Sequence, residues 1–256
     1  MKKIIALALV AFTFLPTSIS AQDEIKATVS ADLVSRYMWR GSDLADVSLQ
    51  PTLNVGWKGL ELELSGSTPL EKDGGVQEID VSLGYSLFGV NIGVTDYWTA
   101  NVDSENRYFH FGGKTQCPHQ LEANIGYTCK YGSLQAYTIF WGNDYKKNGD
   151  RAYSTYIELS VPFRLGGLDW DVRAGITPME SGCSSYKEEV ETSVGSYTID
   201  HYDWMYGERF NCNMASVRAT KTLEFKHFNV PVFVEVHTNP YLQRANFVLG
   251  VSITTL

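Results

Sequence analysis

Basic residues are scarce in this 256-residue chain: 21 Lys and Arg stand against 29 Asp and Glu, a formal charge of −8 at pH 7. A surface of that sign repels phosphate backbones, so nucleic acid is excluded as a partner. Charge of either sign is thin, at 20% of residues, below the roughly 25% of ordinary soluble domains. Four cysteines are too few to frame a chain of this length with disulfides. No apolar run reaches the ~18 residues of a membrane-crossing helix. Mean hydropathy is slightly negative at −0.16, and a helical membrane protein is thereby excluded. Metal-ligand spacing is missing, as is any cofactor motif, so none is expected. Aromatic residues, by contrast, are plentiful at 13%, and 22 glycines accompany them.

Lys2 and Lys3 precede an apolar run over residues 4–15, and Pro16 opens a small-residue stretch ending at Ala21. That is the pattern of a cleaved secretory signal. The expected division is a signal peptide at 1–21 and a mature chain at 22–256, with loss of Lys2 and Lys3 taking the charge from −8 to −10.

The mature chain has no sustained helical period; it has alternation. Leu168, Trp170, Val172, Ala174 and Ile176 are apolar, with Asp169, Asp171, Arg173 and Gly175 between them. Phe247, Leu249, Val251 and Ile253 repeat the rhythm, as do Leu121, Ala123, Ile125 and Tyr127. Period 2 marks strands with one apolar face. About twelve are expected, at 25–36, 47–57, 60–68, 76–86, 89–99, 119–129, 131–141, 152–163, 167–177, 213–225, 228–238 and 244–254. Short and long connections alternate between them, the longest covering 178–212.

An all-β, up-and-down antiparallel barrel of the transmembrane kind is built this way, with short periplasmic turns and long extracellular loops. An even strand count leaves both mature termini periplasmic. The lengths agree: about 11 residues at roughly 3.3 Å, tilted about 40°, rise near the ~25 Å apolar band of such barrels. Aromatics gather at strand ends, Trp57, Tyr85, Phe88, Tyr127 and Tyr131 beside short turns and Tyr37, Trp39, Tyr97, Trp98 and Trp141 beside long loops. Two interfacial girdles are expected. A soluble sandwich or calycin also alternates, but gives no reason for the short-long rhythm.

The polar phase then lines the lumen. It contains Asp32, Glu61, Glu63, Glu78, Asp80, Glu122, Glu158, Asp169, Asp171, Glu224 and Glu235, opposed by few bases, chiefly Arg173 and Arg218. Such a lining favours cations or neutral polar solutes. It serves equally a plugged barrel that conducts nothing, since twelve strands fall between the filled and the open sizes. Lys221 falls on the lipid phase near a turn, where it can snorkel. Arg36, Trp39 and Arg40 cluster where strand one meets its loop, either as girdle residues whose arginines pair with lipid headgroups or with Asp43 and Asp46, or as candidates for binding a ring-bearing solute at the outer rim. Cys183 and Cys212 bracket most of the longest loop and are the disulfide candidate. An enzyme is not expected: His119 lies in the lipid phase at the rim, where outer-membrane phospholipases carry a Ser-His pair, but no Ser stands beside it. The expected partners are outer-membrane lipid, lipopolysaccharide and a small polar solute, with a monomer favoured.

The opening segment Ala31-Asp32-Leu33-Val34-Ser35-Arg36-Tyr37-Met38-Trp39-Arg40-Gly41 resembles the S-x-Y-x-x-R-G start of the TorF-type outer-membrane channel family. The likeness continues in Leu49-Gln50-Pro51, Gly93-Val94-Thr95-Asp96-Tyr97-Trp98, Tyr108-Phe109-His110, Leu165-Gly166-Gly167-Leu168-Asp169-Trp170 and Asn239-Pro240. The resemblance implies an outer-membrane β-barrel with a channel role and supplies no site; the chain departs from it by lacking a C-terminal Phe.

Overall fold

Alternating side chains put every second residue of a strand on one face of its sheet, and closing that sheet makes one face exterior and the other lumen. A computed structural model describes residues 25–101, 107–112, 117–192, 195–226 and 228–254. The expected signal peptide at 1–21 lies outside these. Sixteen strands follow in order: β1 (Lys26–Val34), β2 (Tyr37–Trp39), β3 (Ser42–Ala45), β4 (Ser48–Trp57), β5 (Leu60–Pro69), β6 (Val76–Leu87), β7 (Val90–Asn101), β8 (His119–Cys129), β9 (Gly132–Gly142), β10 (Thr155–Leu165), β11 (Leu168–Thr177), β12 (Cys183–Thr192), β13 (Gly195–Trp204), β14 (Asn211–Glu224), β15 (Asn229–Asn239) and β16 (Arg244–Thr254).

Twelve of these form a closed antiparallel barrel, and β1 shuts it by pairing with β4 on one side and β16 on the other. The other four make two hairpins, β2–β3 in the first long connection and β12–β13 in the longest. The barrel strands match the expected spans within three residues at either end. Three short connections are two-residue turns with left-handed backbone at both positions: Lys58 and Gly59 (φ 49° and 86°), Phe88 and Gly89 (51° and 85°), Gly166 and Gly167 (64° and 74°). That geometry follows the twist of the flanking strands.

The molecule is apolar outside and polar within. Leu62, Leu83 and Val94 sit side by side across β5, β6 and β7, each more than 40% exposed. Leu60, Leu64, Leu87, Ile92, Ile125, Leu134, Leu159, Phe247 and Leu249 continue the same exposed belt. Lys221, on that outward phase, turns its Nζ to the Gly167 carbonyl at 3.3 Å, toward the short-turn end. Buried apolar clusters are small: Val34, Phe233 and Val248 with Met38, and Tyr156, Tyr206 and Met214 with Trp39, Tyr137 and Met205. Met38 and Trp39 belong to β2, so both clusters gather around a hairpin that has folded into the barrel.

Candidate functional site

β1 ends at Val34, and the chain then turns inward. Arg36 stays at the neck, ion-paired with Asp43 of the opposite hairpin arm and 3.8 Å from Asp46. Arg40 (φ 47°) and Gly41 (φ 88°) form the tip, the same left-handed pair that makes the short turns. At Gly41 only glycine fits, because a Cβ there would lie 1.8 Å from the Asn213 carbonyl oxygen. The tip's backbone is held on the far wall. Asn213 Nδ2 donates to the Arg40 carbonyl at 3.1 Å and Asn239 Nδ2 to the Gly41 carbonyl at 3.2 Å. The Gly41 N–H donates to His237 Nε2 at 3.1 Å. On the opposite side Tyr37 donates its hydroxyl to Glu78 at 2.9 Å. The hairpin therefore runs from β1 and β4 across the lumen to β14 and β15.

Arg40 is its main side-chain anchor. The guanidinium makes a bidentate pair with Glu122 of β8 at 2.5 and 2.7 Å and donates to the Tyr206 hydroxyl at 2.7 Å. Tyr97 donates to the same carboxylate at 3.0 Å. The rings of Trp39, Tyr137 and Tyr156 lie 4.3–4.8 Å from the guanidinium carbon, a cation–π cage around a side chain only 8% exposed. Tyr206 arrives from the end of the second hairpin, where Ser181 Oγ accepts the Tyr206 and Gly207 N–H groups at 3.0 and 3.1 Å. Burial pushes the Tyr206 phenol above its usual range, with Arg40 pulling the other way; burial, then the Glu78 and Asp80 charges, does the same to Tyr37.

A second charged centre lies beneath the tip. Glu235 of β15, 3% exposed, accepts from Arg173 at 2.8 Å, from Arg218 Nε at 2.7 Å and from His237 Nδ1 at 3.0 Å. Two cavities flank the hairpin. The inner one, about 300 Å³, is lined by Arg36, Arg40, Arg173, Arg218 and His237 with Glu158 and Glu235. The mouth cavity, about 400 Å³, has Glu78 and Asp203 in its lining and, among the described residues, no Lys or Arg. Trp39 and Tyr97 line both, their rings packed edge-on at 5.8 Å.

The thirteen lumen candidates all take the phase opposite the apolar belt. Glu78, Glu122 and Glu235 are buried; Glu61 and Glu63 face Asn54; Asp171 accepts from Ser160 at 2.7 Å; Glu158 accepts from Tyr156 at 2.8 Å. Asp32 and Asp80 are half-buried on β1 and β6, while Asp169 pairs with Arg164 at 3.1 Å and Glu224 is exposed near a short turn. Arg173 and Arg218 converge on Glu235. Three expectations change. Trp39 and Arg40 are not at the outer rim but inside the lumen, since the left-handed tip lets β2 and β3 fold back on one another and turn inward. Tyr37 and Tyr97 likewise leave the outer girdle and bond to Glu78 and Glu122. Cys183 and Cys212 are free thiols: the long connection is closed by strand pairing, which sets Cys183 opposite Trp204 rather than Cys212.

Sequence reasoning missed Tyr206, Asn213 and Asn239, as well as the role of His237. It missed too that Asp96 shares the outward phase with His119. The two side chains pair at 2.9 Å, and Phe111 stacks on the imidazole at 4.1 Å, keeping both away from the apolar belt. Among the described residues no group of three His, Cys, Asp or Glu is placed to hold a metal.

No protein-family model matches the chain, and no curated protein is similar to it. Several solved structures are similar in outline at low identity. Salmonella typhi OmpF in complex with daunomycin gives a TM-score of 0.36 at 8% identity, over 91% of this chain and 98% of that one. Wzi, the carbohydrate-binding barrel of group 1 capsule assembly in Escherichia coli, gives 0.34 at 8%, over 99% and 87%. CdiB from Acinetobacter baumannii gives 0.35 at 10%, over 92% and 60%.

Proposed function

We propose that the protein is an outer-membrane barrel of the TorF-type class that passes small polar solutes, cations ahead of anions, and that its first-loop hairpin holds it closed in this conformation. The observation that carries this is the pair of cavities that share Trp39 and Tyr97 in their walls, with the first hairpin between them. Cation preference follows from how the interior acids are satisfied. Glu78 and Glu158 accept hydrogen bonds from tyrosine hydroxyls rather than from a base, and among the described residues no Lys or Arg lines the mouth cavity that Glu78 faces. Membrane residence rests on the exposed leucine belt, and the orientation on the short turns, which share one end with the start of β1 and the end of β16.

Planar-bilayer recording tests the channel. Refolded wild type should give rare, brief openings, and a chain lacking residues 37–45 should conduct steadily. Silence from the deletion variant, with its barrel confirmed by a heat-modifiable gel shift, would favour the second reading: a non-conducting barrel that binds a surface partner through its loops. The many bonds fixing the tip are what recommend that reading. Membrane residence has its own test. Leu64, 47% exposed and midway along β5, should when changed to Arg lower stability in lipid vesicles by about 2–4 kcal/mol, read from denaturant midpoints. An unchanged midpoint would place β5 outside the bilayer.

A further inference from the structure

We infer that His237 is the latch of the hairpin and that one proton added at its Nε2 releases the tip; the inference deepens, and rests on, the gated-channel reading. The argument starts from the direction of one hydrogen bond. A backbone N–H only donates, so Gly41 fixes His237 Nε2 as an acceptor at 3.1 Å. The ring proton then belongs on Nδ1, where Glu235 Oε1 receives it at 3.0 Å. Both partners select the same neutral tautomer.

A second proton would make Nε2 a donor. Two N–H groups would then face each other at 3.1 Å, in a place where the imidazole is 4% exposed. The charged neighbours act in the same sense. From β15 itself there is Glu235; from β11 comes Arg173 and from β14 Arg218, each already bonded to that carboxylate. Asp171 of β11 lies 3.4 Å from Arg173, so a charged His237 would make a third cation against two anions. Arg40, on the hairpin, is committed to Glu122, and the remaining partners of the tip, Asn213 and Asn239, are neutral. With the tip withdrawn, water reaches Nε2–H and screens the guanidinium groups. A proton on Nε2 opposes the seated tip and not the withdrawn one, so by linkage acid favours withdrawal. His237 is a positioning residue: it moves no solute and decides where the hairpin sits.

Two readouts test it together: single-channel open probability, and amide hydrogen exchange of peptides covering residues 37–45, scaled to the unfolded peptides at each pH. Between about pH 7.5 and about pH 5, wild type should show a rise of roughly tenfold in both. His237→Gln offers an amide oxygen to Gly41 and an N–H to Glu235 but takes no proton, so both readouts should be flat. An acid rise of equal size in His237→Gln, or hairpin exchange in wild type that ignores pH, overturns the latch. If no current flows at any pH while hairpin exchange still rises with acid and goes flat in His237→Gln, the latch stands and the channel reading falls. Should the variant fail to fold, wild-type hairpin exchange across the same pH range decides.

Discussion

An Arg40→Ala protein should unfold about 3–5 kcal/mol more easily than wild type, the usual loss when one half of a buried ion pair is removed, and its barrel should leak current. The first effect follows from what stays behind. Glu122 is 2% exposed and would keep only the Tyr97 hydroxyl against a full negative charge. The cage of Trp39, Tyr137 and Tyr156 rings would at the same time surround a void. The second effect follows because Arg40 is the side chain that joins the hairpin to β8. Removing both charges separates these contributions. Arg40→Met with Glu122→Gln leaves no stranded carboxylate, so the double variant should be more stable than Arg40→Ala and yet conduct like it. Equilibrium unfolding in detergent and bilayer recording on the same preparations supply both numbers. An Arg40→Ala midpoint equal to wild type would remove Arg40 from its place as the anchor.

Glu235→Leu should be as damaging, about 3–5 kcal/mol, by the opposite imbalance. Arg173, Arg218 and His237 all spend a hydrogen bond on this one carboxylate. Without it two guanidinium groups confront each other beside the inner cavity. Arg164→Ala is the matched control, since its ion pair with Asp169 is 77% and 57% exposed and such pairs contribute roughly 0–1 kcal/mol. Comparable losses from Glu235→Leu and Arg164→Ala would mean that water reaches Glu235 freely and that the buried centre does not exist.

The barrel was readable in the sequence because period 2 is a local signal. Leu168, Trp170 and Val172 state their phase within five residues, and the turn pairs Lys58 and Gly59 or Gly166 and Gly167 mark where one strand gives way to the next. The site was not readable, because its contacts are long-range. Nothing near Arg40 announces Glu122, and the reach of Asn213 and Asn239 to the hairpin tip joins residues far apart in the chain. One clue was present. Arg40 and Gly41 repeat the turn chemistry of the short connections within a stretch read as rim, and a tight turn there means a hairpin. The β12–β13 hairpin hid for another reason. The strand Cys183–Thr192 carries Lys and three Glu and pairs only with β13, outside the closed barrel, so the alternation that revealed the barrel says nothing about it.

The tip of the first hairpin is seated on residues contributed by β14 and β15, although the hairpin itself is made within the first fifth of the chain. Its socket cannot exist until those late strands have joined the sheet and β16 has met β1. Order of assembly is thereby imposed: the wall closes first and the hairpin seats last. A newly closed barrel should pass through an interval in which it is heat-resistant and leaky, and a refolding time course should see conductance appear with the barrel and then decay. On the proposed channel reading, such a lag leaves each newly closed copy open for an interval, a physical reason to favour rapid seating of this hairpin.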